Sequence, residues 1–135
     1  MSRPVVALLH GLARGHGSMA RLGRALRARG FEVVSHSYPS RRRSLAALAD
    51  EVTGWLLAHA RDRPISAVTH SMGGVLARHL HDPRLRWGRI VMLAPPNQGS
   101  QLAAALAGNP VFRWYYGPAG VELGAEAARW PAPPA

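Results

Sequence analysis

The sequence predicts an α/β protein, a three-layer α/β/α sandwich with a mostly parallel sheet. Short apolar runs alternate along the chain with stretches in which apolar residues recur at helical spacing. The first run, residues 4–9, is apolar throughout, which is typical of a parallel strand buried on both faces. A chain of 135 residues can bury the core of one domain. We expect that domain to span residues 1–123 and a proline-rich, disordered tail to follow over residues 124–135.

The first half of the chain is predicted to contain two strands and two helices. After the first strand and a glycine-rich loop, Ser18 is expected to cap a helix that ends at Gly30. Alternating apolar residues predict a second strand over residues 31–38. Ser44 is then expected to cap a helix over residues 45–59, whose apolar residues fall on one face.

The second half is predicted to continue the alternation of strand and helix. Pro64 starts a third strand, a helix follows over residues 72–81, and a fourth strand covers residues 88–93. A short helix is predicted over residues 101–107. Beyond Asn109 the composition is aromatic and rich in glycine, and we expect irregular structure.

The third strand stops at a serine, Ser71, and a helical pattern starts at once. The segment from Thr69 to Gly73 fits the G-x-S-x-G turn that holds a serine hydroxyl at a strand-to-helix bend, with threonine in place of the first glycine. Small neighbours are needed because the serine backbone is strained and the helix passes close to the strand. Ser71 and the segment His10-Gly11-Leu12 both fall at carboxyl ends of predicted parallel strands, where α/β sheets place their functional residues.

With these segments assembled, the chain resembles the α/β-hydrolase family, in particular its lipase-like and esterase-like branch. That branch includes small bacterial proteins described as lipase-like hydrolases or as predicted acetyltransferases and hydrolases. Two further segments carry the resemblance, Tyr38-Pro39-Ser40 and the stretch over residues 91–100, and the likeness extends from about Val5 to Leu123. It implies that the four strands are the family's central strands three to six, with the first strand beside the third.

The resemblance also implies a chemistry. Ser71 would be the catalytic nucleophile, attacking a carboxylic ester of a small molecule or lipid and forming an acyl-enzyme. The backbone N–H groups of Leu12 and Met72 would form the oxyanion hole that stabilises the developing negative charge. Acyl transfer to an acceptor other than water would use the same parts. The residues that would support the site are His10, Gly11 and Gly73.

The family uses a catalytic triad of serine, acid and histidine, and the chain departs from it in the acid and the histidine. The family order is serine, then an acid, then a histidine, but the histidines after Ser71 are only His79 and His81. Helical rise would put His79 about 12 Å from Ser71, whereas a general base must come within about 3 Å. The acids after Ser71 are Asp82, Glu122 and Glu126. We therefore expect a C-terminally truncated hydrolase that is weak or inactive, and the residues leave open whether it is a fragment, a truncated gene product or a pseudoenzyme.

Two histidines that precede the serine lie nearer to it in the predicted fold. His10 and His16 belong to the loop that would abut Ser71; a histidine in a His-Gly turn such as that of His10 usually supports structure, so His16 is the freer candidate for a base. A different interpretation is a non-catalytic interaction protein that retains the front half of the fold. The aromatic segment over residues 112–116 would then be a contact surface, whereas in a hydrolase it would be a lid. If the strands that follow the fourth in the family fold are missing, an edge of the sheet is exposed and favours self-association.

Composition limits the partners. The chain has a net charge of +10 from 17 arginines and no lysine, which would suit nucleic acid, but the arginines are scattered and only residues 41–43 form a run. We predict no nucleic-acid partner and leave open peripheral contact with a membrane or lipid. The loop over residues 11–17 lacks the nucleotide-binding glycine patterns, and neither cysteine nor a metal-ligand spacing occurs, so no cofactor and no metal are predicted. No signal peptide or membrane span is seen, and we expect a cytoplasmic protein.

Overall fold

The computed structural model of the protein describes residues 3–12, 14–96, 99–124 and 130–134. Four strands form one sheet in the order β2-β1-β3-β4, and every neighbouring pair is parallel. The strands are β1 (Val5–Leu9), β2 (Glu32–Ser35), β3 (Ile65–His70) and β4 (Trp87–Leu93). The predicted α/β fold is confirmed, as is the position of the first strand beside the third.

In the part of the chain that the structure describes, five α-helices flank this sheet and form two cores with it. They are α1 (Ala20–Ala28), α2 (Leu45–Ala60), α3 (Met72–Ala77), α4 (Gln101–Leu106) and α5 (Pro110–Glu122). Val5, Ala7 and Leu9 of β1 enter the larger core with α2 and α3, whereas Val6 and Leu8 enter a smaller core with Val33 of β2 and the residues of α1. Successive strand residues point to opposite faces, so a strand covered on both sides needs an uninterrupted apolar run.

Two of the predicted helix boundaries are confirmed. The Ser44 hydroxyl accepts the Ala47 N–H at 3.2 Å and caps α2. Beyond α1, Gly30 takes a φ of +90°, its N–H bonds to the Arg27 carbonyl, and the Phe31 N–H bonds to the Leu26 carbonyl. This pair of bonds is the usual glycine-dependent closure of a helix.

Ser18 does not cap a helix, contrary to the prediction. It lies inside a short 3-10 helix, His16–Met19, and its hydroxyl donates to the Gly15 carbonyl at 2.8 Å. The α-helix α1 begins only at Ala20. The glycine-rich loop therefore closes on itself before α1 starts.

Two elements are shorter than predicted. Strand β2 ends at Ser35, whose partner on β1 is Leu8. Helix α3 ends at Ala77, where the prediction extended it to residue 81. Each N–H of residues 78–80 bonds to the carbonyl three residues earlier, and such bonds tighten the last turn and end the α-helix.

The segment after Asn109 is helical, so the prediction of irregular structure was wrong. The Asn109 side chain accepts the N–H groups of Val111 and Phe112, and Pro110 occupies the first helical position. A kink at Gly117, with φ at +67°, divides α5. Asparagine followed by proline is a recognised helix start. The aromatic residues and the glycine-proline pair at 117–118 indicate irregular structure instead, and the prediction followed them.

Part of the C-terminal segment contacts the domain. Trp130 is buried in the larger core, and the Pro131 carbonyl accepts a bond from Arg78 Nε at 2.8 Å. Residues 125–129 and 135 lie outside the described residues. The domain boundary at residue 123 and the disorder of the tail stay predictions. No helix in the described part of the chain is both long and apolar enough to cross a membrane.

Strand β4 lies at one edge of the sheet, and its outer face is uncovered. Val91 is 49 % exposed and Leu93 is 44 % exposed. An edge strand with exposed apolar side chains is a template for pairing with another chain. We predict concentration-dependent self-association in sedimentation velocity that Val91→Lys weakens. The matched control is Val111→Lys on α5, where Val111 is 70 % exposed. Equal behaviour of the two variants, or a monomer at all concentrations, would contradict the prediction.

Candidate active site

Ser71 occupies a strained turn between β3 and α3. Its φ is +52° and its ψ is −123°, a conformation that a residue with a side chain rarely adopts. The Ser71 N–H bonds to the Leu93 carbonyl of β4, and the Gly74 N–H bonds to the Ser71 carbonyl, both at 2.9 Å. The edge strand and the first turn of α3 thus hold the serine in this conformation, as expected where strain is stored at a functional site.

Glycines allow β1 and α3 to approach each other below this turn. A Cβ atom at Gly73 would overlap the Leu9 carbonyl and lie 3.0 Å from the His10 oxygen, so no side chain fits there. A Cβ atom at Gly11 would lie 3.4 Å from the Ser71 Cβ atom. The loop that follows β1 is therefore packed directly against the serine.

This packing puts the two predicted oxyanion-hole residues at the same end of the sheet. Leu12 follows Gly11 in the packed loop, and Met72 is the first residue of α3. The first N–H groups of a helix have no acceptor within that helix, so they are available to a ligand. The roles of Leu12 and Met72 stay predictions.

His10 is buried and fixed by Tyr38. Its Nδ1–H donates to the Gly11 carbonyl at 2.8 Å, and its Nε2 accepts the Tyr38 N–H at 3.2 Å, which defines a neutral ring with the proton on Nδ1. The Tyr38 ring stacks on it with centroids 3.8 Å apart, and the Tyr38 hydroxyl donates to the His10 carbonyl. Burial lowers the pKa of His10 and raises the pKa of Tyr38 far above its usual range. With both ring nitrogens engaged, His10 holds the loop and does not serve as a base.

The buried His10 predicts that acid weakens the fold. The folded protein keeps this ring neutral because its pKa lies below the usual 6.5, whereas the unfolded chain takes up a proton near 6.5. Stability from His10 is therefore full above pH 6.5 and is lost as the pH falls through the folded-state pKa, with a slope of up to about 1.4 kcal/mol per pH unit. We expect the free energy of unfolding, measured with urea between pH 7.5 and 5, to fall less steeply in His10→Gln. The control is His81→Gln, which changes an exposed histidine. Equal slopes in wild type and His10→Gln would refute the prediction.

Thr69 stands where the elbow pattern has glycine, and it is fully buried. Its hydroxyl has no hydrogen-bond partner among the described residues. A buried hydroxyl without a partner costs about 1–3 kcal/mol. Thr69→Val keeps the shape and removes the hydroxyl, so we expect an increase of about 1 kcal/mol in the free energy of unfolding. Thr53→Val, on a partly exposed position of α2, should have little effect, and a destabilised Thr69→Val would contradict this account.

The other titratable candidates are engaged elsewhere. His16 Nδ1 lies 2.6 Å from the Ser37 hydroxyl, and His79 Nδ1 donates to the Val75 carbonyl of its own helix at 2.9 Å. Within the described ranges, no histidine or carboxylate bonds to the Ser71 hydroxyl. Asp82 pairs with Arg84, which lowers the pKa of that carboxyl to about 2, and Glu122 accepts the Leu45 N–H. Glu126 lies outside the described residues. Over the same ranges no group of histidine and acidic side chains could hold a metal ion.

A parallel sheet between helical layers, with a strained serine where a central strand turns into a helix, defines the class of nucleophile-elbow proteins. This chain belongs to the alpha/beta hydrolase family, whose profile matches residues 6–135. The resemblance inferred from the sequence is thereby confirmed. Among curated proteins, none matches the chain.

Solved structures agree on the fold. The lipase BlEst2 of Bacillus licheniformis is similar with a TM-score of 0.73 and 18% identity, over 90% of this chain and 54% of the lipase. Phospholipase PlaB of Legionella pneumophila has a TM-score of 0.67 and 18% identity, and the match covers 88% of this chain and 32% of the phospholipase. A monoacylglycerol lipase of Paleococcus ferrophilus has a TM-score of 0.59 and 19% identity, and the match covers 82% of this chain and 50% of the lipase. The chain thus spans between about a third and about half of these proteins, and at such identity the likeness shows the fold.

Proposed function

We propose that this chain carries the nucleophile of a serine hydrolase that cleaves carboxylic esters, with Ser71 as the nucleophile. The observation that carries the proposal is the strained Ser71 backbone at the end of β3, held by Leu93 and closely packed by Gly11. Strain of this kind needs a reason, and exposing a reactive hydroxyl at the carboxyl end of a parallel sheet supplies one. The lipase and phospholipase names of the similar structures support an ester or lipid substrate.

The reaction follows from this placement. A base removes the proton from the Ser71 hydroxyl, and the oxygen attacks the carbonyl carbon of the ester. The N–H groups of Leu12 and Met72 hold the negative charge on the oxygen of the tetrahedral intermediate. When the intermediate collapses, the bond from carbon to the alcohol oxygen breaks, the base returns its proton to that oxygen, and an acyl-serine remains. Water then releases the acid and restores the serine. Since the described residues bring no base to Ser71, we propose that the chain alone reacts slowly and that the base comes from elsewhere.

Added imidazole tests this proposal, because it can replace a missing histidine. We expect p-nitrophenyl butyrate hydrolysis by the chain to be near background in plain buffer and to rise with imidazole concentration. The rise must exceed that of Ser71→Ala in the same buffer, which corrects for hydrolysis by imidazole itself. Ser66→Ala, also on β3, is the matched control and should behave as wild type. No Ser71-dependent rate in folded protein would overturn the proposed nucleophile, and full turnover without imidazole would overturn the missing base.

A non-catalytic interaction protein is the second candidate, and exposed apolar side chains on α4 and α5 favour it. Leu102, Val111 and Trp114 are 68 %, 70 % and 80 % exposed. In a hydrolase the same residues would form a lid over the site. The imidazole experiment separates the two, since only a hydrolase gives a rate that depends on Ser71.

A further inference from the structure

A cavity of about 530 Å³ is lined by three arginines, one of which belongs to the loop that packs against Ser71. Arg14 comes from the loop after β1, Arg41 and Arg42 come from the turn before α2, and Trp114 of α5 forms a further wall. Among the described residues that line it, none is acidic. The three guanidinium groups therefore give this cavity a positive potential, which attracts an anion.

Local structure directs the arginine run toward this cavity. The Arg42 N–H bonds to the Pro39 carbonyl at 3.0 Å and closes a turn. Arg43, the last of the run, is not among the residues that line the cavity, and it pairs with Glu51 at 3.1 Å. Arg41 is held at the rim, where its guanidinium lies 4.1 Å from the Tyr115 ring centre and its Nε donates to the Tyr115 carbonyl. These two contacts restrict the Arg41 side chain and do not use its terminal N–H groups, which can donate to a ligand.

Arg14 links this cavity to the loop that packs on the serine, because its N–H bonds to the Gly11 carbonyl at 3.2 Å. This arginine also lines a second cavity of about 420 Å³, together with His70 and Leu93. His70 is the neighbour of Ser71 in the chain, and the Leu93 carbonyl accepts the Ser71 N–H. One substrate could thus place a carbonyl at Ser71 and an anionic group among the arginines.

We propose that the cavity of Arg14, Arg41, Arg42 and Trp114 binds a phosphate group of the substrate, so that the preferred ester is a phosphorylated one. Arginine forks match phosphate oxygens in pairs, and a phosphate can engage more than one of them at once. Trp114 offers an apolar wall to the part of the substrate that joins phosphate and ester. The inference about the ester rests on the proposed function, whereas phosphate binding itself does not.

Titration calorimetry of the full chain with inorganic phosphate, at constant ionic strength, tests the site without any activity. We expect Arg42→Gln to weaken phosphate binding about tenfold or more, since it removes a charge-assisted hydrogen bond. The matched control is Arg43→Gln, which removes the same charge one residue away from the cavity and should bind as wild type. Equal weakening in both variants, or no saturable binding by wild type, would overturn the site.

The same titration with two phosphate-containing ligands identifies the source of the phosphate. Glycerol 3-phosphate represents a soluble phosphoester, and dihexanoyl phosphatidic acid below its micellar concentration represents a lipid. Binding of either, weakened by Arg42→Gln and not by Arg43→Gln, supports the site. Tighter binding of the lipid that Trp114→Ala removes assigns it to a phospholipid. Binding of duplex DNA that falls steeply with salt, and that both arginine variants reduce alike, would indicate a diffuse polyanion surface and overturn the proposal.

The inference and the proposed function fail separately. Phosphate binding with no Ser71-dependent rate would leave the site standing and remove the hydrolase. With imidazole present, a lower KM for a phosphorylated ester than for its neutral analogue, lost in Arg42→Gln, would support both. Equal KM values for the two esters would refute the preference.

Discussion

Gly73→Ala is expected to destabilise the protein by more than about 3 kcal/mol, because backbone atoms must move to admit one methyl group. The new Cβ atom would overlap the Leu9 carbonyl of β1 and lie 3.0 Å from the His10 oxygen. Relief requires α3 to separate from the end of β1, which would also release the turn that holds Ser71. Urea unfolding measures the loss, and any Ser71-dependent rate should disappear with it.

Gly54→Ala supplies the control, because it makes the same chemical change in open space. Gly54 lies within α2, and a Cβ atom there would meet no atom within 4 Å. Alanine is favoured over glycine inside a helix by roughly 0.5–1 kcal/mol, so this variant should be more stable than wild type. A Gly73→Ala variant as stable as Gly54→Ala would show that β1 and α3 are not in close contact.

Gly117→Ala is expected to detach α5 from the turn before α2, the second large effect. At Gly117 φ is +67°, and a Cβ atom would overlap the Arg41 carbonyl. With ψ at −166°, this backbone conformation is essentially restricted to glycine, which adds about 1–3 kcal/mol to the cost of that overlap. Two contacts should be lost together, the bond from the Ala119 N–H to the Arg43 carbonyl and the bond from Arg41 to Tyr115.

Hydrogen exchange of the Ala119 amide measures this detachment directly. We expect much faster exchange in Gly117→Ala, with the amides of β1 and β3 less affected. Gly108→Ala is the control, since a Cβ atom there meets nothing within 4 Å. An Ala119 amide equally protected in Gly117→Ala would contradict the role given to the kink.

Local signals in the sequence account for the central part of the fold. The unbroken apolar run of β1, the Ser44 cap and Gly30 after α1 each act within a few residues, and each is found as predicted. Signals that depend on distant partners were less predictable. Strand β2 is defined by its pairing with β1, and α5 is fixed by contacts with residues 41–45, some 70 residues away in the chain.

The same distinction between local signals and distant partners applies to the residues of the candidate site. Ser71, Gly73 and Gly74 form one continuous segment, so a pattern could locate them. The arginine cavity could not be predicted, because Arg14, Arg42 and Trp114 are brought together only by the packing of three separate segments. From sequence, residues 41–43 are a single basic run; the structure divides them between the cavity and Glu51. The contacts that fix His10 could not be predicted either, because its partner Tyr38 lies beyond the end of the neighbouring strand β2.

The central claim is that Ser71 is a nucleophile whose base lies outside the described chain, and trapping the acyl-enzyme tests it most directly. Deacylation needs the same base as acylation, so an acyl group placed on Ser71 in an imidazole pulse should persist once imidazole is removed. We would react the folded chain with p-nitrophenyl butyrate in imidazole, exchange the buffer, and map the modified peptide by mass spectrometry. The account predicts a butyryl group on Ser71 that is absent from Ser71→Ala and present in Ser66→Ala. An unmodified Ser71, or butyryl groups spread over other serines at the same level, would contradict it.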